Sequence, residues 1–165
     1  MKRIITLALL LSFGLINAQQ AFEGKGDAKF NVGANIQDGG SGIQASADFG
    51  IGENLSYGFV ASYLLGVDEF LGEKPEFEDR FDAKFRINAN LGSVINIDEK
   101  FDLYPGLNLG LKNFGGHVGM RYFFTEGFGL YTEAGFPIAK YDQDITGFDH
   151  LNNQFTFNIG ASFNM

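Results

Sequence analysis

From Gly26 to Met165, apolar side chains recur at nearly every second position, and a period of two admits strands and little else. Ala28, Phe30, Val32, Ala34 and Ile36 share one parity, with Lys29, Asn31, Gly33, Asn35 and Gln37 on the other. The pattern resumes with Ile43, Ala45, Ala47, Phe49 and Ile51, then with Leu55, Tyr57, Phe59, Ala61, Tyr63 and Leu65. It is cleanest in Phe81, Ala83, Phe85, Ile87, Ala89 and Leu91, opposed by Arg80, Asp82, Lys84, Arg86, Asn88 and Asn90. Leu103 to Leu111, Val118 to Phe124, Phe128 to Phe136 and Phe155 to Met165 complete the series. Pro105 has no N–H to donate and is expected at a strand end or bulge.

Eight strands of roughly ten residues are therefore predicted, a length that crosses a bilayer at a steep tilt. An even count returns both chain ends to one side, as a closed up-and-down barrel requires. On that near side the connections are Gly52–Asn54, Gly92–Lys100 and Thr125–Gly127. The far side holds Asp38–Ser41, Gly66–Asp79, Lys112–Gly115 and Pro137–Asn152. The nine-residue near-side connection is the exception to a short-turn rule.

Alternation alone fits two barrels. A soluble lipocalin-like barrel faces its apolar residues inward and its polar residues to water. The polar parity here decides against that reading, because it is mostly Gly, Asn, Ser, Gln and Thr, not the Lys and Glu of a wetted surface. Small polar residues suit a narrow lumen, while Tyr57, Tyr63, Phe81, Tyr122, Phe124, Phe128 and Phe163 fall near strand ends as interfacial aromatic girdles do.

The first 18 residues, MKRIITLALLLSFGLINA, have a basic start, an apolar run and a small residue at Ala18. That layout is a secretory signal peptide, its apolar run being shorter than a membrane-spanning helix needs. Residues 1–18 are expected to be removed, leaving 19–165 as one barrel domain. Loss of Lys2 and Arg3 takes the net charge from −8 to −10, which argues against a nucleic-acid partner. The chain has no cysteine, so disulfides, thiol nucleophiles and cysteine-anchored lipid are excluded.

The segment GMRYFFTEGFGLYTEAGF, residues 119–136, and the terminal QFTFNIGASFNM, residues 154–165, resemble the penultimate hairpin and closing strand of small bacterial outer-membrane β-barrels. The chain is similar to the eight-stranded OmpX and OmpA-barrel kind, in porin-like proteins of Bacteroidetes type. The resemblance implies an all-β, eight-stranded antiparallel up-and-down transmembrane β-barrel in the outer membrane of a Gram-negative bacterium. It implies outer-membrane lipid and the barrel-assembly machinery as partners, the latter through the C-terminal strand. The closing strand departs from the pattern in ending on Met165, although Phe163 is in phase.

Notable charges fall on the predicted lumen face, Lys29, Asp48, Arg80, Asp82, Lys84, Arg86, Arg121 and Glu133, and a structural lumen network is expected from them. The turn Thr125–Gly127 sets Arg121 opposite Tyr131, so Arg121 and Glu133 are predicted as a diagonal pair. Asn88 is expected to be a tolerant lumen position. His117 points inward, but no Ser and carboxylate stand at matching spacing, so a lipid-modifying enzyme is the weaker reading and no catalytic residue, cofactor or metal is assigned. Asp68, Glu69, Glu73, Glu76, Glu78 and Asp79, with Asp142 and Asp144 opposite, could bridge a divalent cation, but a solvated charge run is the default.

Overall fold

A computed structural model describes residues 20–69, 73–142 and 147–165. The predicted signal peptide lies outside the described residues. Eight strands are present: β1 (Ala28–Gln37), β2 (Gly40–Gly50), β3 (Leu55–Val67), β4 (Phe81–Ala89), β5 (Phe101–Gly110), β6 (Asn113–Phe123), β7 (Phe128–Lys140) and β8 (Thr156–Asn164). Two one-turn helices interrupt them, α1 (Phe77–Arg80) before β4 and α2 (Gly92–Ile95) before β5. Every strand pairs antiparallel with its sequence neighbour, and β1 closes the circle against β8 from Lys29–Asn164 to Gln37–Thr156.

Local sequence chemistry sets the corners. Gln37 pairs with Gly40, leaving Asp38 and Gly39 as a two-residue turn in which Gly39 takes φ 69°, where a side chain is disfavoured. At the closing seam Gly33 faces Gly160, and a Cβ on either would run into backbone of the other strand. Two elements run longer than the alternation suggests. β6 begins at Asn113, before the Gly115-Gly116 pair, and β7 continues through Pro137 to Lys140 with a bulge between Phe114 and Gly115. Pro105 sits within β5, just past the last β4–β5 pair, Asn88–Gly106.

The faces divide as the residue types dictate. Val32, Ile43, Phe59, Ile87, Leu109, Val118, Leu130 and Ile159 are exposed on the outer wall. Lys29, Asn31, Ser46, Asp48, Asn88, Asp102, Arg121 and Asn158 are buried inside. This is the reverse of a water-soluble domain, in which charged residues are almost never buried and large apolar patches are rare. Aromatic rings gather at the two rims. Tyr122, Phe124, Phe128, Phe163 and Phe30 form a chain of T-shaped and tilted ring contacts at the near rim with centroids 5.4–6.5 Å apart, and Tyr63, Phe77 and Phe81 cluster at the far rim. A trough of 660 Å³ on the outer wall is floored by Ala45, Ala61 and Ala83.

Both mouths are covered by chain. At the near end residues 20–27 fold inward, with Ala21 donating to the Glu99 carbonyl at 2.6 Å and Ala21 and Phe22 buried. At the far end Asn152, in a left-handed conformation (φ 60°), anchors the last connection over the opening. Its backbone N–H donates to Gln37 at 2.7 Å, its side-chain amide to the carbonyls of Asp79 and Arg80, and its own carbonyl accepts from Asn113. Beside it, Leu151 and Leu64 are fully buried.

Candidate functional site: a charged node in the lumen

Arg86, on β4, is the centre of the interior. Its Nε and Nη2 donate to the two oxygens of Asp48 on β2, each at 2.7 Å, a bidentate pair. Nη1 donates to Glu133 Oε2 on β7 at 2.7 Å, and Nη2 also reaches the Ser46 hydroxyl at 2.9 Å. One guanidinium thus ties three strands across the barrel. Arg121, on β6, donates through Nε and Nη2 to Asp102 Oδ2 at 3.2 and 2.8 Å, and its Nη1 lies 3.7 Å from Asp48. The Tyr104 ring lies between the two cations, 4.7 Å from the Arg121 guanidinium carbon and 5.9 Å from that of Arg86. Gly119 makes room for that ring, since a Cβ there would strike it.

Asn88 links this node to its surroundings, donating to Asp48 and to Ser56 at 3.1 Å and accepting from His117 Nε2 at 2.9 Å. Asp102 is held by Asn90 at 2.8 Å and by the Gly92 backbone N–H at 3.0 Å. The bonds to Asp48 and Asp102 replace water that a buried carboxylate has lost, the condition on which charge survives in a low-dielectric interior.

The other expected lumen charges fall above and below. Lys29 donates to Asp27 and to Asn164, both at 2.6 Å, under the Phe123 ring, so the near mouth closes on an ion pair. Lys84 lies 3.3 Å from the buried Asp82 toward the far end. Two expectations are corrected. Arg80 is not part of the lumen set: it ends α1, and its Nε donates to the Pro75 carbonyl at 3.3 Å, because the helical turn rotates it off the parity of β4. Arg121 and Glu133 do not pair with each other. Arg121 does face Tyr131 as expected, but Asp102 stands directly opposite it on β5 and is a nearer partner than a diagonal residue. Asp102, Tyr104 and Asp27 are the participants that the sequence reading passed over. All three have the inward parity.

His117 forms no Ser–His–carboxylate arrangement, and His150 donates through Nδ1 to the Gly147 carbonyl at 3.2 Å within its own loop. In the acidic far-side loops, Asp79 and Glu76 cap α1, and Glu69 lies 3.6 Å from Lys74 in solvent. No group of side chains that could hold a metal occurs among the described residues; Asp144 lies outside them. Lys112, between β5 and β6, donates to the Asp79 carbonyl at 3.1 Å; burial holds its ammonium below the usual lysine range, opposed by the surrounding carboxylates.

An antiparallel eight-stranded barrel with charge inside and a continuous apolar wall outside is, by architecture, a transmembrane β-barrel. Residues 12–165 match a family described as a family of unknown function (DUF6646), and the chain belongs to it. A designed transmembrane β-barrel shares the fold, with TM-score 0.57 and 11% identity over 87% of this chain and 98% of that one. Outer Membrane Protein G from Pseudomonas aeruginosa aligns at TM-score 0.48 and 10% identity, over 87% of this chain and 99% of that one. A comparison with curated proteins finds no match.

Proposed function

We propose that this chain is an integral outer-membrane protein with a structural or surface-interaction role, and that its lumen is closed to ions. The observation that carries the closure is the Arg86–Asp48–Glu133 tie, three side chains from β4, β2 and β7 meeting inside the barrel. Eight strands leave an interior just wide enough for side chains, so a tie that crosses it leaves no aqueous path. Chain folded over both mouths supports the same reading. With the lumen occupied, the far-side connections are the surface available to an extracellular partner. On this reading residues 1–18 are cleaved, β8 engages the barrel-assembly machinery, and the protein catalyses no reaction.

Two measurements test it. Outer membranes, separated from the soluble periplasm, should hold the native protein, with gel mobility that changes on heating. Recovery in the soluble fraction would refute the membrane reading. Purified protein in planar bilayers should show no steady conductance, and a stable open level would refute the closed lumen.

A further inference from the structure

The near-side connection between β4 and β5 is longer than a hairpin needs, and its apolar residues are turned away from the protein. Val94, Ile95 and Ile97 are 63%, 41% and 71% exposed, with no charged residue among positions 91–97. Two polar groups of the same segment bond the barrel rim. Ser93 donates to Asn54 Oδ1 at 2.6 Å, and the Gly92 N–H donates to Asp102 inside the mouth. The Glu99 backbone carbonyl accepts the Ala21 N–H, which ties the segment to the chain covering the near opening. Asp98 reaches the other way and accepts from the Tyr122 hydroxyl at 3.2 Å. Tyr122 is an outer-wall residue of the near aromatic rim, T-shaped against Phe124 at 5.4 Å. That bond joins the connection to the outer wall. It holds Asp98 beside the aromatic rim, where an outer wall of this kind meets headgroups, with the exposed Ile97 next to it in the chain.

We infer that the α2 connection is a lipid-binding foot: Val94, Ile95 and Ile97 insert into the headgroup and acyl boundary of the near-side leaflet. Its occupant is phospholipid, because the patch adjoins the lipid-facing wall through the Asp98–Tyr122 bond and because its three aliphatic side chains stand exposed on a stretch, 91–97, that carries no charge. A short apolar wedge of this kind sits in the interface without spanning it. Loops that face only water have no use for three exposed aliphatic side chains in four positions.

This inference rests on the membrane reading, and the test separates the two. The chain has no tryptophan, so one substitution gives a single fluorophore. Phe85→Trp, on the outer wall in the middle of β4, reports the lipid wall; Ile97→Trp and Val94→Trp report the foot. Each full-length variant is folded into phosphatidylcholine vesicles with or without chain-brominated phosphatidylcholine, and folding is checked by gel mobility. The expected result is blue-shifted emission at all three positions, with about two-fold or greater quenching by the brominated lipid. Quenching at Phe85→Trp alone, with both foot variants emitting as in water and accessible to iodide, would overturn the inference. Blue-shifted foot emission that ignores brominated lipid would also overturn it, since the patch would then be covered by protein. Failure at Phe85→Trp as well would overturn the membrane reading itself.

Discussion

Replacing Arg86 with Met tests the interior most directly, because the methionine keeps an unbranched stem and deletes only the cation. Arg86 is fully buried, and its removal leaves Glu133 with one long contact, from Gln44 Nε2 at 3.4 Å. Asp48 fares better, keeping Asn88 at 3.1 Å and the more distant Arg121. Stranding one member of a buried pair costs about 3–5 kcal/mol, so Arg86→Met is expected in that range. Glu133→Gln keeps an oxygen that can accept from Nη1, and should cost about 1–2 kcal/mol. In the double variant Glu133 no longer carries a stranded charge, so the total should fall short of the sum by about 1–3 kcal/mol. Urea titration of folded protein in vesicles, read as heat-modifiable mobility, gives all four stabilities. The same cycle on Arg121→Met and Glu133→Gln should give a smaller coupling, since Arg121 contacts Asp102 and Asp48 instead. Equal couplings, or an Arg86→Met no worse than Glu133→Gln, would refute the assignment of Arg86 as the central tie.

Phe85→Arg places a charge on the outer wall in mid-strand and should lose about 2–4 kcal/mol in the same titration, whereas Phe85→Leu should lose far less. Gly119→Ala drives a methyl into the Tyr104 ring and should destabilise by about 1–3 kcal/mol, with the loss largely removed by adding Tyr104→Leu. Asn152→Gly tolerates the positive φ but deletes the side-chain bonds to the Asp79 and Arg80 carbonyls, so amide hydrogen exchange should speed up at the far mouth and not at Arg86 or Asn88.

Strand count, order and facing were readable from alternation, since a lumen and a lipid wall impose opposite demands on successive residues. What parity could not rank was the weight of each inward position. Asn88 looked like a tolerant lumen residue, yet it bonds Asp48, Ser56 and His117 at once, so Asn88→Ser removes more than a methylene. The alternation of the fifth strand sets in at Leu103, two residues after β5 begins, so Asp102, the partner of Arg121, lies ahead of the pattern that would reveal it. The β6 start was hidden by Gly115 and Gly116, which have no side chains to alternate. Arg80 shows the converse error: it continues the parity of β4 in sequence, but the one-turn α1 ends the extended backbone there.

The tie between β2, β4 and β7 also bears on how the chain finds its pairing. Backbone ladders in a barrel are nearly indifferent to a slip of one position, since every N–H still meets a carbonyl. The tie is not indifferent. A shift of β4 by one residue would swing Arg86 out of the lumen into hydrocarbon, at about 2–4 kcal/mol for that charge alone, and would leave Asp48 and Glu133 facing each other inside. A shift by two would keep Arg86 inward but move it about 7 Å along the strand axis, beyond reach of both carboxylates in their present geometry. The buried charges thus act as a proofreader of registration, rejecting misaligned barrels that the hydrogen-bonded sheet would accept.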